Sequence, residues 1–108
     1  VQHVIDAERV FVYRAMRFAR NDKADLHGFE QNDYVPEAEA DKRTVHQLLT
    51  EFVNLRASTI DFFSSLNNEK RSRIGTSNNV EMSVEMIGFI ISGHLLHHIS
   101  IIEERYLK

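Results

Sequence analysis

The chain contains no cysteine. Disulfides, thiolate metal sites and cysteine nucleophiles are therefore excluded, and a reducing, cytoplasmic setting is the expectation. Long apolar runs are also missing. The longest extends from Ile87 to Ile91, far too short to span a bilayer, so no membrane partner is expected. No secretory signal opens the chain, because Gln2, His3, Asp6, Glu8 and Arg9 all fall in its first nine residues. Positive charge is not in excess. A net charge of −3 exerts no general pull on nucleic acid, and the short cluster of Arg71 and Arg73 is too small to reverse that. Internal repeats and low-complexity tracts are absent. Period-two alternation is confined to very short stretches, which speaks against a β architecture.

What remains is 108 residues, 43% hydrophobic and 27% charged, the balance of one ordinary globular domain over residues 1–108. The chain is organised around its last quarter, Ser83 to Leu107. Ser83 is a plausible N-cap, and Val84, Ile87, Ile91, Leu95, Ile99 and Ile102 follow at the period of a buried helical stripe. A first helix is predicted from Val1 to Arg20, with an apolar face that includes Val4, Ile5, Ala15, Met16 and Ala19. It has no capping residue and begins in mid-stride, so an N-terminally incomplete domain is expected. Asn21 to Pro36 reads as an irregular loop, pinned by Leu26, Phe29 and Tyr34.

A second long helix is predicted from about Asp41 to Leu66. Its wide face carries Val45, Leu48, Leu49, Phe52, Val53, Thr59, Ile60, Phe62 and Phe63, and Asn67-Asn68 ends it. Glu69 to Met82 reads as a polar connection. The expectation is an all-α protein with three long helices, a bundle whose fourth helix is missing from this chain. Three such faces without a fourth partner would expose an apolar patch, and a homodimer is one way to cover it.

Six histidines need sorting: His3, His27, His46, His94, His97 and His98. His27, in the loop, and His46, beside charged residues, read as exposed polar groups. His94 and His98 stand one helical turn apart. Spacing leaves two readings open, a hydrogen-bonded polar pair inside a core or part of a metal site. Zincin chemistry requires glutamate directly after the first histidine, where Leu95 stands. Di-iron carboxylate bundles need glutamate three residues before histidine. Those positions hold Ile91, His94, Leu95, Arg43 and Ala24. A histidine-only site would need a third ligand from another helix, and His3, towards the apolar edge of the first helix, is available.

The string His3-Val4-Ile5-Asp6-Ala7-Glu8-Arg9-Val10-Phe11 and the later Gly93-His94-Leu95-Leu96-His97-His98 together resemble the DinB-like (YfiT-like) metalloprotein superfamily. Arg14 to Arg20, Gly28-Phe29 and Glu51-Phe52 extend the likeness over nearly the whole chain. The resemblance implies an up-down-down-up four-helix bundle, with the His3 motif on its second helix and the His94 motif on its fourth. The first helix is absent here. It also implies His3, His94 and His98 as metal ligands, with His97 left as a neighbour.

Three imidazoles leave positions open on a divalent ion for water or substrate, as catalytic sites do. Zinc, nickel, iron and copper all suit such ligands. The resemblance implies a metal-dependent transferase or hydrolase acting on a small molecule, with a low-molecular-weight thiol as candidate cosubstrate. The alternative is a non-enzymatic metal-binding stress or ligand-binding protein. Asp6, Glu8, Tyr13 and Tyr106 are candidates for proton handling or for positioning the ligands, though surface or packing roles compete for each.

Overall fold

The structure, a computed structural model, describes residues 2–28, 31–39 and 42–93. Helix α1 (Gln2–Ala19) begins the described chain. It ends where Asn21 turns to φ 64°, letting Asp22 N–H reach the Arg17 carbonyl and Asn21 N–H the Phe18 carbonyl. That pair of bonds is the Schellman arrangement, and asparagine tolerates its left-handed residue. Strand β1 (Asp25–Leu26) follows, then helix α2 (Gln31–Ala38), which contains Pro36. The irregular loop expected over Asn21 to Pro36 is therefore corrected. The sequence around Val35-Pro36 argued for extended backbone, and the chain is helical there instead.

Helix α3 (Val45–Ser64) starts at a capping box rather than near Asp41. Thr44 Oγ1 accepts from Gln47 N–H at 3.0 Å, and Gln47 Oε1 accepts from Thr44 N–H at 2.9 Å. Ser65 caps its far end. Asn67 opens the short helix α4 (Asn68–Arg71), accepting from Lys70 N–H at 2.9 Å, so Asn67-Asn68 starts one helix rather than ending another. A hairpin of β2 (Ile74–Ser77) and β3 (Val80–Ser83) then turns through Asn78 and Asn79, both at positive φ. Two left-handed residues in a two-residue loop match the right-handed twist of the strands they join. β1 adds to β2 in parallel, giving a three-stranded sheet in the order β1-β2-β3. The protein is mostly helical, but the all-α expectation is corrected by this small sheet.

Helix α5 (84–93 among the described residues) opens as expected, with Ser83 Oγ accepting from Met86 N–H at 3.1 Å. Its stripe is buried at Val84, Ile87 and Ile91. Leu95, Ile99 and Ile102 lie outside the described residues. Val84, Ile87 and Ile91 pack with Ala15, Phe18, Ala19, Leu26 and Leu66, and Phe62 and Phe63 meet edge to face against that cluster at 5.1 Å. Phe18 is fully buried, which removes enough apolar surface to stabilise the fold by about 2–3 kcal/mol.

Polar links set the helix directions. Contacts advance from Gln2 with Arg43, through the adjacent Glu8 and Arg9 with Arg56 and Glu51, to Phe18 and Leu66, which share the core. Helices α1 and α3 therefore run the same way. Arg73 donates to the Ala19 carbonyl and accepts from Val84 N–H, which fixes the start of α5 beside the end of α1.

Two expected faces are only partly buried. Met16 is exposed on α1, and Val45, Leu49, Val53 and Ile60 are exposed on α3. Of the α3 face, only Thr59 is buried within the helix, with Leu66 just beyond it. The apolar pattern of α3 runs round too wide an arc for one neighbour to cover.

Gly75 sits where a Cβ would lie 2.0 Å from the Phe18 ring, whereas at Gly88 the nearest atom, on Phe63, is 3.3 Å away. Gly75→Ala should therefore destabilise the protein by about 1–3 kcal/mol through overpacking. Gly88→Ala should stay within about 1 kcal/mol of the parent, because the helix propensity gained offsets mild crowding. Urea unfolding of the two variants checks the contrast.

Candidate functional site

The polar chemistry of the described chain is concentrated in the seam between α1 and α3. Glu8 projects from the buried side of α1, between Ile5 and Ala15, and is 2% exposed. An isolated carboxylate there would be strongly disfavoured, so its partners matter. Arg56 supplies Nη2 to Oε1 at 2.6 Å, with Nε 3.1 and 3.3 Å from the two oxygens. The Thr59 hydroxyl donates to Oε2 at 2.7 Å. The Arg56 guanidinium also lies 5.2 Å from the centre of the Phe52 ring. Both oxygens of Glu8 are thus engaged, which makes it a positioning group rather than a free base or ligand.

Nearer the start of both helices lies a second set. Glu51 takes Arg9 on one oxygen at 2.8 Å and Arg43 on the other. Arg43 also donates to Gln2 Oε1 at 2.8 Å, and Gln2 Nε2 donates to Asp6 at 2.9 Å. Hydrogen bonds first from Arg43 and then from Arg9 hold the Glu51 carboxyl below its ordinary range. An open groove of about 970 Å³ runs alongside, lined by Arg9, Arg43, His46, Glu51, Asn54 and Ser58 among others.

His3 stands half-buried in the first turn of α1, next to Gln2 and one turn before the buried Ala7. That agrees with its expected place at the apolar edge. His27 and His46 are exposed, also as expected. His94, His97, His98 and Tyr106 lie outside the described residues. Among the described residues, no three His, Cys, Asp or Glu side chains come together in a way that would hold a metal. Asp6 is engaged by Gln2. Tyr13 is ten residues beyond His3, about 15 Å along the helix, where it accepts from Arg17 at 2.9 Å. It stands far from His3. Among the described residues no neighbouring helix approaches Gly93, and no atom lies within 4 Å of where its Cβ would be. Gly88 does admit one, the Phe63 ring of α3.

Sequence reading placed Thr59 on an apolar face and passed over Arg56. A signal was present. Glu8 interrupts a run of buried positions on α1, and Arg56 and Thr59 stand three apart on α3, the spacing of one helical face.

A mostly helical chain with a long parallel helix pair and a histidine in the first turn of α1 defines a class before it defines a family. The sequence pattern of the DinB superfamily matches residues 1–102 of the 108, and the chain belongs to that superfamily. No curated protein and no solved structure matches it. Among the described residues, no helix is long and apolar enough to cross a membrane.

Two outcomes follow from the seam. Glu8→Ala should cost about 2–4 kcal/mol, since it strands Arg56 beside a hole, and adding Arg56→Met should cost less than the sum of the two. Denaturant unfolding of the single and double variants measures this. The second concerns acid. The Glu51 carboxyl has a lower pKa folded than unfolded, so on acidification the unfolded chain takes up its proton first. Its contribution is present above the unfolded value near 4.5 and is lost as pH falls through the lower folded value. Glu51→Gln should flatten that acid limb in melts recorded from pH 7 to pH 3.

Proposed function

We propose that the chain is a metal-dependent transferase or hydrolase of small molecules, built on the up-down-down-up bundle of its superfamily. His3, His94 and His98 are the ligands of one divalent ion. Superfamily membership suggests metal binding, and the direction of the described helices supports the ligand set. α5 begins beside Ala19 at the end of α1. By Ile91 and Ser92 it lines one cleft with Arg56 and Thr59, the residues that hold Glu8. Glu8 is five residues from His3 on α1, and Ser92 is two residues from His94. That juxtaposition carries the proposal. The parallel α1 and α3 also match the two middle, like-directed helices of such a bundle.

The donor chemistry fits. The described partner, His3, is half-buried on a regular helix, and the nearby buried carboxylate is fully occupied by Arg56 and Thr59 and so does not compete for the ion. A bound divalent ion with three imidazole ligands supplies Lewis acidity to a substrate, water or thiol. The chain's own contribution is to hold His3 on a helix whose register Glu8 locks. With no cysteine in the chain, a thiol in the reaction comes from outside it, and the cosubstrate proposed is a low-molecular-weight one.

Purified protein should carry about one equivalent of zinc, nickel, iron or copper by elemental analysis. His3→Ala, His94→Ala and His98→Ala should each abolish that stoichiometry, while His97→Ala retains it. Ligation needs neutral imidazoles, so metal should also leave on acidification. Loaded protein should consume a small thiol with an electrophile, and the three ligand variants should not. Metal held without turnover would remove the enzymatic half of the proposal. Metal unaffected by all three substitutions would remove the site.

A further inference from the structure

The turn of α1 that carries His3 is tied to the start of α3 through its neighbour Gln2. The Gln2 amide is engaged at both ends. Its Oε1 accepts from Arg43 Nη1 at 2.8 Å, and its Nε2 donates to Asp6 Oδ1 at 2.9 Å, one turn along. Arg43 Nη1 also donates to Glu51 Oε1, and Glu51 Oε2 accepts from Arg9 Nη2 at 2.8 Å. Two hydrogens on one guanidinium nitrogen thus serve two acceptors, a fork that lysine does not reproduce. Gln2, Asp6 and Arg9 stand at i, i+4 and i+7, on one face of α1. Arg43 and Glu51 therefore hold that face at two points, about two turns apart. A helix held at one point can pivot about it, and a helix held at two cannot. His3 lies inside the held span. The anchor is itself fixed, because Arg43 directly precedes Thr44, whose reciprocal bonds with Gln47 set the backbone where α3 starts.

We propose that Arg43 is a positioning residue for His3, acting through Gln2 and held in turn by Glu51. This rests on the reading of His3 as a metal ligand. A divalent ion accepts its ligand atoms only within about 0.2 Å of their bonding distances, so a small rotation of the first turn of α1 takes the imidazole out of range. Glu8 and Arg56 decide which turns of α1 and α3 meet. Arg43 sets the orientation of the turn before them. Contacts that orient a ligand in this way are worth about 10–100-fold in metal affinity, although the groups that make them never touch the ion.

Cobalt(II) alone is the probe, since its visible absorption reports the arrangement of its ligands. Arg43→Met and Gln2→Leu should each weaken cobalt binding about 10–100-fold and alter that absorption. The double variant should lose no more than the weaker-binding single one, because both substitutions remove the same bond. All three remove partly exposed groups and should unfold in urea close to the parent. Arg17→Met is the control. It deletes another partly exposed arginine, paired with Asp22 at the far end of α1, and should bind cobalt as the parent does. A second arm needs no metal. The N–H groups of Asp6, Ala7 and Glu8 bond to the carbonyls of Gln2, His3 and Val4, and in metal-free Arg43→Met they should exchange with solvent faster than in the parent. A parent that binds no cobalt would remove the ligand set proposed above, while faster exchange in Arg43→Met would still support Arg43 as the residue that positions His3. The inference is overturned by unchanged cobalt affinity in Arg43→Met, by additive losses in the double variant, by equal weakening in Arg17→Met, or by unchanged exchange at Asp6, Ala7 and Glu8.

Discussion

The contact on which the rest of the structure depends is the one between Glu8 and Arg56. A carboxylate 2% exposed on α1 has no stable position except beside the guanidinium and hydroxyl that α3 presents. The chemistry therefore fixes which turn of α3 lies against which turn of α1. Apolar contacts alone would not do this, because a row of valines and leucines tolerates sliding by a turn. Glu51, held by Arg9 and Arg43, repeats the constraint about one and a half turns earlier on α3, and being more exposed these groups add register more than energy.

With α1 and α3 registered, the remaining elements have little freedom. The hairpin places Gly75 on the Phe18 ring, where no larger residue would fit. Arg73 ties the last carbonyls of α1 to the first amide of α5. Ser83 then both ends a strand and caps a helix, which turns the chain sharply back along the pair. The result carries the end of the described α5 toward the turn of α1 that holds Glu8, five residues from His3. The same packing leaves Val45, Leu49, Val53 and Ile60 of α3 exposed, so one helix serves an internal polar seam and carries an outward apolar row.

Much of this was legible in the residues, though unevenly. Both long helices, the Ser83 cap, the buried Val84, Ile87 and Ile91 stripe and the break at Asn21 were all readable, because each depends on neighbours within a few positions. The superfamily was readable from two short motifs in order. The sheet was not. Its strands are two to four residues long, too short for alternation to register, and the one strong clue was the pair Asn78-Asn79. Helix α2 was hidden by Pro36, whose local preference for extended backbone was overridden.

The sequence by itself determined the long helical segments, the Ser83 cap and the histidine spacing, since hydrogen bonds four residues apart and a 3.6-residue period are local properties of the chain. Only the tertiary structure decided which part of the apolar arc of α3 is covered and which carboxylate Arg56 would meet, 48 residues away. It likewise decided that three short extended pieces would pair. Those outcomes turn on which surfaces meet first to exclude water and satisfy buried charge, and that competition runs between distant segments.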